Sequence, residues 1–200
     1  MATARTLYLA SSNPGKVREF TTAAAESGVS VEPLPGIDGL PPCLEDGATF
    51  EANARKKAAH YSAYTGALVF ADDSGLCVDA LGSAPGVRSA RYAGPHADDT
   101  ANNRKLLTEM RGLTGPQRKA HYVCAIALAQ RGRVLVTTQG RVDGLILESP
   151  RGAGGFGYDP LFLYLPLGKT FAELTADEKF GISHRGEAFR RLLDYLATPG

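Results

Sequence analysis

Short apolar runs, each closed by polar or turn-forming residues, set the rhythm of this chain. They fall at Thr6–Ala10, Ala67–Ala71, Tyr122–Ala129, Val134–Thr138 and Leu161–Leu165. Several are continuously apolar rather than alternating, the pattern of strands covered on both faces. Between them the apolar positions take a helical period. Gly15–Ser27 opens on Pro14-Gly15 and is rich in alanine and charge, while Thr49–Tyr64 begins at a residue suited to N-capping and pairs Glu51 with Arg55 four positions on. Asp98–Met110 predicts a third helix. A fourth runs from about Arg185 to Leu196, with Phe189, Leu192, Leu193 and Leu196 on one stripe and Ser183 as its candidate cap. Strands alternating with helices predict a layered α/β fold. Only Gln130-Arg131-Gly132-Arg133 separates two of the strand runs, a hairpin-length link, so the sheet is expected to be mixed. The stretch Pro33–Pro42, rich in Pro and Gly, reads as a mobile connection.

Composition narrows the class. Two hundred residues, 44% of them hydrophobic, fit a single domain over 1–200, with two lobes around a cleft. Twenty-two basic residues against twenty-one acidic ones give a formal charge of +1, and no basic run resembles a nucleic-acid tail. Recognition of phosphate must then come from a local site, and nucleic acid is not an expected partner. Cys43, Cys77 and Cys124 are far apart and odd in number, which fits reduced thiols better than zinc or disulfides. The early apolar stretch Leu7–Ala10 is too short for a signal peptide, and no run is long enough to span a bilayer. A soluble, cytoplasmic protein without a membrane partner is the expectation.

Two motif-like strings fail on context. Gly152-Ala153-Gly154-Gly155-Phe156-Gly157 has the letters of a dinucleotide fingerprint but precedes an apolar strand run instead of opening a helix. Gly168-Lys169-Thr170 ends like a phosphate-binding P-loop, yet Leu163 stands where its first glycine is required.

Four other segments carry chemistry. Ser11-Ser12-Asn13-Pro14-Gly15-Lys16 joins the first strand run to the first helix. Such a turn offers backbone N–H groups and the positive end of the helix dipole to a phosphate, with Lys16 adding charge. It also fits an ordinary capped turn. Ala71-Asp72-Asp73-Ser74-Gly75 follows an apolar run directly, so two adjacent carboxylates are expected at a strand's C-terminal end, where a divalent cation would relieve their repulsion. Magnesium, which takes oxygen ligands, suits them, although Asp-Asp-Ser-Gly is good turn chemistry as well. Glu45-Asp46-Gly47 precedes the helix on which Asn53 and Lys57, four apart, share a face. Glu45 could supply a second carboxylate, or simply favour the helix N-terminus. Finally, Phe156 lies among glycines that leave a ring face open to stack on a base, and Asp159, Lys179, His184 and Arg185 could read its polar edges. A lone histidine at a helix start is more commonly a surface residue; His60, His96 and His121 read as structural.

Together these segments resemble the inosine triphosphate pyrophosphatase family, the non-canonical purine NTP pyrophosphatases or HAM1-like proteins. The resemblance runs from Leu7 to about Leu193 and rests on SSNPGKVREF, TFEANARKKA, ADDSGLCVDALGSAPGVRSARYAG, GGFGYDPLF and ELTADEKFGISHRG, in that order. It implies a mixed α/β fold around an elongated sheet, a homodimer, and Mg²⁺-dependent hydrolysis of ITP, dITP and XTP at the α–β phosphate link. By motif, Ser11, Ser12, Asn13, Pro14, Gly15 and Lys16 would hold phosphates, assisted by Lys57. Glu45 and Asp73 would ligate the metal, with Asp73 also the proton acceptor for the attacking water. A carboxylate bound to metal is a weak base, however, so chemistry favours Asp73 orienting that water, with Asp72 behind it or standing in as base. Ser74 would touch substrate, and Phe156, Gly157, Tyr158, Asp159, Lys179, His184 and Arg185 would form the base pocket. The sequence departs from the pattern at Ala52, where many relatives have an acid; Glu51, one residue earlier, points about 100° away on a helix. Two further readings remain open at this point: a pyrophosphatase for other modified nucleotides, and a nucleotide-binding regulator without hydrolysis.

Overall fold

The computed structural model describes residues 5–24 and 28–198. Seven strands form one sheet in the order β2-β1-β3-β4-β5-β6-β7. These are β1 (Arg5–Leu9), β2 (Val29–Pro33), β3 (Val69–Val78), β4 (Lys119–Gln130), β5 (Arg133–Ile146), β6 (Phe162–Tyr164) and β7 (Lys169–Thr170). Among the described residues five α-helices accompany them: α1 (Pro14–Ala24), α2 (Phe50–Ser62), α3 (Asp99–Glu109), α4 (Ala176–Ile182) and α5 (His184–Ala197). β1 pairs in parallel with both β2 and β3, whereas β6 is antiparallel to β5 and to β7, so the sheet is mixed as expected.

The chain divides into two compact units. The first holds the described residues of Met1–Asp73, Cys124–Gly140 and Arg185–Gly200. Its central strands β3 and β4 are covered on both faces, which explains their continuous apolar runs. On one face the small side chains Ala54 and Ala58 of α2 meet Val69, Ala71, Ala125 and Ala127, letting the helix lie close to the strands. On the other, Phe20 of α1, Phe70 of β3 and Phe189 of α5 gather with ring centroids 5.3–6.0 Å apart. Val69, Phe70 and Ala71 therefore alternate between faces with the period of two that a strand dictates.

The second unit comprises Ser74–Val123 and Arg141–His184. Its core packs Leu76, Leu106, Met110, Tyr122, Phe162 and Phe171. The side chain of Asp98 accepts from Ala101 N–H at 2.7 Å and so starts α3. Arg118 is buried without a carboxylate in range; its guanidinium donates instead to the carbonyls of Met110, Leu113, Ile146 and Leu147.

Four elements differ from the pattern-based expectation. β2 lies at the sheet's edge and carries Glu32 and Pro33, too polar and too short to register as an apolar run. α4 is only seven residues, but Thr175 and Glu178 cap it reciprocally, a Thr-x-x-Glu signal that was legible in the sequence. The link between β4 and β5 is two residues, Arg131-Gly132, because both strands run on into flanking polar positions. Most consequentially, β3 does not end at the acidic pair: it continues through Asp72-Asp73-Ser74-Gly75 to Val78. The first helix was expected to reach Ser27; α1 is described to Ala24, and residues 25–27 lie outside the described residues.

Candidate active site

The strand continuing through Asp72 and Asp73 changes what the pair can do. Alternation along β3 sends the two side chains to opposite faces of the sheet. Asp72 follows Phe70 to the face of α1 and α5, where Lys16 Nζ lies 2.9 Å and Arg185 Nε 3.6 Å from its Oδ2. Asp73 follows Ala71 to the face of α2, where Asn53 Nδ2 donates to its Oδ2 at 2.9 Å. The two neighbouring carboxylates therefore do not converge side by side at a strand end: they leave opposite faces of β3, although the charges of Lys16 and Lys57 act on both.

Their protonation behaviour separates accordingly. Burial alone would raise the Asp72 carboxyl, but the charges of Lys16, Arg185 and Lys57 outweigh it and hold its pKa down at about 2. For Asp73 burial prevails over the attraction of Lys57 and Lys16, and the repulsion of Glu45 adds to it, so its carboxyl titrates above the ordinary range. Glu45 reaches this face from the loop before α2. Lys57 Nζ donates to its Oε2 at 2.9 Å, and Lys56 pairs with Asp46 one residue further on. The same loop, read from sequence as mobile around Pro33–Pro42, is tied to α2: Pro41 O lies 2.8 Å from His60 Nε2 and Cys43 N–H donates to the Tyr61 hydroxyl. Burial by itself would make Lys57 easier to deprotonate, but Asp72, Glu45 and Asp73 reverse this and keep it an ammonium.

The turn at 11–16, expected from sequence to hold phosphate, is built largely as a helix cap. Asn13 Oδ1 accepts from Lys16 N–H at 3.1 Å, and Asn13 N–H donates to Ser11 Oγ. Ser12, Asn13 and Pro14 are exposed and Gly15 is buried. The cap fixes the first turn of α1, which carries Lys16 to Asp72 and, one turn further, Glu19 to Arg185 Nη1 at 3.0 Å. Arg185, expected beside the base, joins this cluster. Glu19 was not singled out from sequence, since nothing distinguishes an inward acid on a helix from a solvated one until its partner, 166 residues away, is in place.

In the second unit the other expected residues form a separate cluster. Asp159 Oδ2 accepts from Phe156 N–H at 2.9 Å and from Lys179 Nζ at 2.5 Å, and Lys179 Nζ sits 4.6 Å from the Phe156 ring centroid. Asp159 and Lys179 are both buried, so this ion pair holds the aromatic ring by its backbone and by one face. Gly155 has φ +72°, and a Cβ there would strike the Asp159 carboxylate, which accounts for the glycine. Gly157 is held between Asp99, which accepts from its N–H at 2.6 Å, and Asn103, which donates to its carbonyl at 3.0 Å. Tyr158 is committed to the core: it is buried and its hydroxyl donates to Ser89 O. His184 is not a surface residue either; it is buried and stacks on Tyr122 with centroids 4.6 Å apart. Ser74, half-buried, follows Asp73 on β3. Glu51 accepts from Gln139 Nε2 and stands apart from Asp73, as the helical geometry at Ala52 required.

The model of the Ham1 family matches residues 7–195. This chain belongs to the Ham1 family. It is 50% identical over 186 residues to the dITP/XTP pyrophosphatase of an Exiguobacterium species, covering 93% of this chain and 94% of that one. The dITP/XTP pyrophosphatase of Bacillus subtilis is 46% identical over 188 residues, with 94% and 95% covered. Among solved structures, the Staphylococcus aureus Ham1 protein superimposes with a TM-score of 0.84 at 36% identity, over 96% of this chain and 98% of that one. The Mycobacterium abscessus nucleoside-triphosphatase / dITP/XTP pyrophosphatase does so with 0.74 at 43% identity, over 96% and 99%. The α/β fold with a seven-strand mixed sheet is thus that of Ham1 structures. No helix among the described residues is long and apolar enough to cross a membrane.

Proposed function

We infer that this Ham1-family chain hydrolyses non-canonical purine nucleoside triphosphates (dITP, XTP and ITP) to the monophosphate and pyrophosphate, clearing them from the nucleotide pool. The observation that carries the reading is likeness over nearly the whole chain, at 46–50% identity, to proteins named dITP/XTP pyrophosphatases. In this reading it works in the cytoplasm, as a homodimer of single ITPase-like domains.

The first unit's cluster suits a divalent cation. Glu19, Glu45, Asp72 and Asp73 set four carboxylates against the three cations Lys16, Lys57 and Arg185. A net negative site would repel a triphosphate, and one Mg²⁺ reverses its sign. Glu45 and Asp73 repel each other, and among the described residues no group of three or more His, Cys, Asp or Glu is placed to hold a metal ion by itself. Two carboxylates, with phosphate and water oxygens completing the shell, are what Mg²⁺ takes. Glu45 and Asp73 would hold it, and when bound it neutralises phosphate charge and acidifies water.

The remaining work falls to side chains. Lys16, Lys57 and the first-turn N–H groups of α1 bind the phosphates and fix the α-phosphorus for in-line attack. Asp73, as a ligand of that cation, is a weak base and serves to orient the attacking water. Asp72, held anionic by Lys16 and Arg185, is a poor base and acts through Lys16. Phe156 stacks on the purine, backed by Lys179 and Asp159. A donor facing the 6-oxo group, with His184 the candidate, would favour hypoxanthine and xanthine over adenine, whose 6-amino group cannot accept.

The test is a substrate panel of dITP, ITP, XTP, dUTP, ATP and GTP with Mg²⁺, scoring pyrophosphate against orthophosphate. Pyrophosphate from dITP, ITP and XTP, with ATP and GTP turned over at least ten times more slowly, supports the reading. Preference for dUTP, or orthophosphate as first product, contradicts it.

A further inference from the structure

Three pieces of the first unit meet at one side chain, and we propose that Asn53 is a positioning residue for the cation-binding carboxylates, fixing Asp73 and the Glu45 loop in one arrangement. The proposal rests on the reading that Glu45 and Asp73 hold the divalent cation. Asn53 lies on α2 and is 1% exposed. Its Oδ1 accepts from Gly47 N–H at 2.7 Å, while Nδ2 donates to Gly47 O at 3.4 Å and to Asp73 Oδ2 at 2.9 Å. One carboxamide thus pairs with both backbone groups of Gly47 and still orients the strand carboxylate.

The same helix face holds the loop a second time. Lys57, one turn beyond Asn53, donates to Glu45 two residues before Gly47. The contact at Gly47 is close: a Cβ there would lie 2.6 Å from Asn53 Oδ1 and 3.0 Å from Ala52 Cβ, so the loop settles on α2 only because residue 47 is glycine. Charge explains the choice of an amide. A carboxylate at position 53 would repel Asp73, and an ammonium would neutralise it and compete with the cation. A neutral donor aims the oxygen without altering its charge. Partners of metal ligands that act in this way typically carry 10–100-fold in affinity or activity.

The experiment titrates Mn²⁺ alone into the nucleotide-free protein, with free Mn²⁺ read by electron paramagnetic resonance, for wild type, Glu45→Gln, Asn53→Ala and Gly47→Ala. Asn53→Ala is expected to weaken Mn²⁺ binding about 10–100-fold and to raise the half-saturating Mg²⁺ for turnover by a similar factor. KM for nucleotide at saturating Mg²⁺ should then stay within about two-fold, the signature of a positioning role. Gly47→Ala, which keeps the carboxamide but pushes the loop off it, should weaken Mn²⁺ in the same direction and carries the test if Asn53→Ala does not fold. Wild-type Mn²⁺ affinity in the folded Asn53 and Gly47 variants, alongside loss in Glu45→Gln, would overturn the proposal and leave the cation reading standing. Wild-type affinity in Glu45→Gln would overturn the cation reading itself, and the proposal with it.

Discussion

Removing the charge of Asp72 tests the electrostatic account of the first unit without reference to substrate. The carboxyl is fully buried, and its pKa lies at about 2 against an ordinary 3.8 because Lys16 and Arg185 flank it. A folded-state pKa below the unfolded one stabilises the native state at pH above the unfolded value, and that stabilisation is lost as pH falls through the folded value. At 1.36 kcal/mol per unit, the ionised group contributes about 2 kcal/mol at neutral pH, unchanged down to about pH 5 and reduced to about 1 kcal/mol at pH 3. Asp72→Asn is nearly isosteric and cannot ionise, so the stability gap between wild type and variant should follow that curve. Urea unfolding followed by circular dichroism reads it directly: with a slope of roughly 2 kcal/mol/M, the midpoint gap is about 1 M at pH 7 and about half that at pH 3. Other carboxylates titrate in both proteins and cancel. A gap that stays constant from pH 7 to pH 3, or that widens on acidification, would refute the claim that Lys16 and Arg185 hold Asp72 ionised.

Other perturbations separate the roles assigned to the remaining residues. Lys179→Met leaves the Asp159 carboxylate buried without its ammonium and should cost about 3–5 kcal/mol in thermal or urea unfolding; adding Asp159→Asn should recover more than 1 kcal/mol, and a strictly additive double variant would deny the coupling. Phe156→Ala removes a stacking surface worth about 1–3 kcal/mol, so KM for dITP should rise about ten-fold with kcat within a factor of two, as steady-state kinetics would show. Asp73→Asn should lower kcat at least 100-fold while nucleotide Kd, measured by calorimetry, changes less than five-fold. Near-normal pyrophosphate release by that variant would remove Asp73 from the chemistry.

The sequence carried the layered α/β class, the mixed sheet and most of the site's residue types, because those rest on local signals. Continuous apolar runs marked β1, β3 and β4, Thr49 marked the start of α2, and a period of four put Asn53 and Lys57 on one face. What it missed depends on long-range partners. Asp-Asp-Ser-Gly has the chemistry of a turn, and only its place within a sheet strand that runs on to Val78 holds it extended as the middle of β3. Once it is extended, the period of two assigns Asp72 to Lys16 and Arg185, and Asp73 to Asn53, a division that no inspection of the dipeptide alone supplies. Arg185 and His184 are adjacent in sequence, yet one enters an ion-pair network with Glu19 and the other stacks on Tyr122. Tyr158 and Asp159 sit in a loop motif that reads as ligand-facing, but their side chains hold the loop: one anchors in the core, the other fastens Phe156 and Lys179. Several residues of the motifs thus have side chains engaged in holding their own loop in place.

The central claim is attack by water on the α-phosphorus of a non-canonical purine triphosphate. Hydrolysis of dITP or XTP in ¹⁸O-enriched water, with the products separated and weighed by mass spectrometry, tests it in one step. Attack at the α-phosphorus places one ¹⁸O atom in the nucleoside monophosphate and none in pyrophosphate; label in pyrophosphate, or release of labelled orthophosphate, would rule it out.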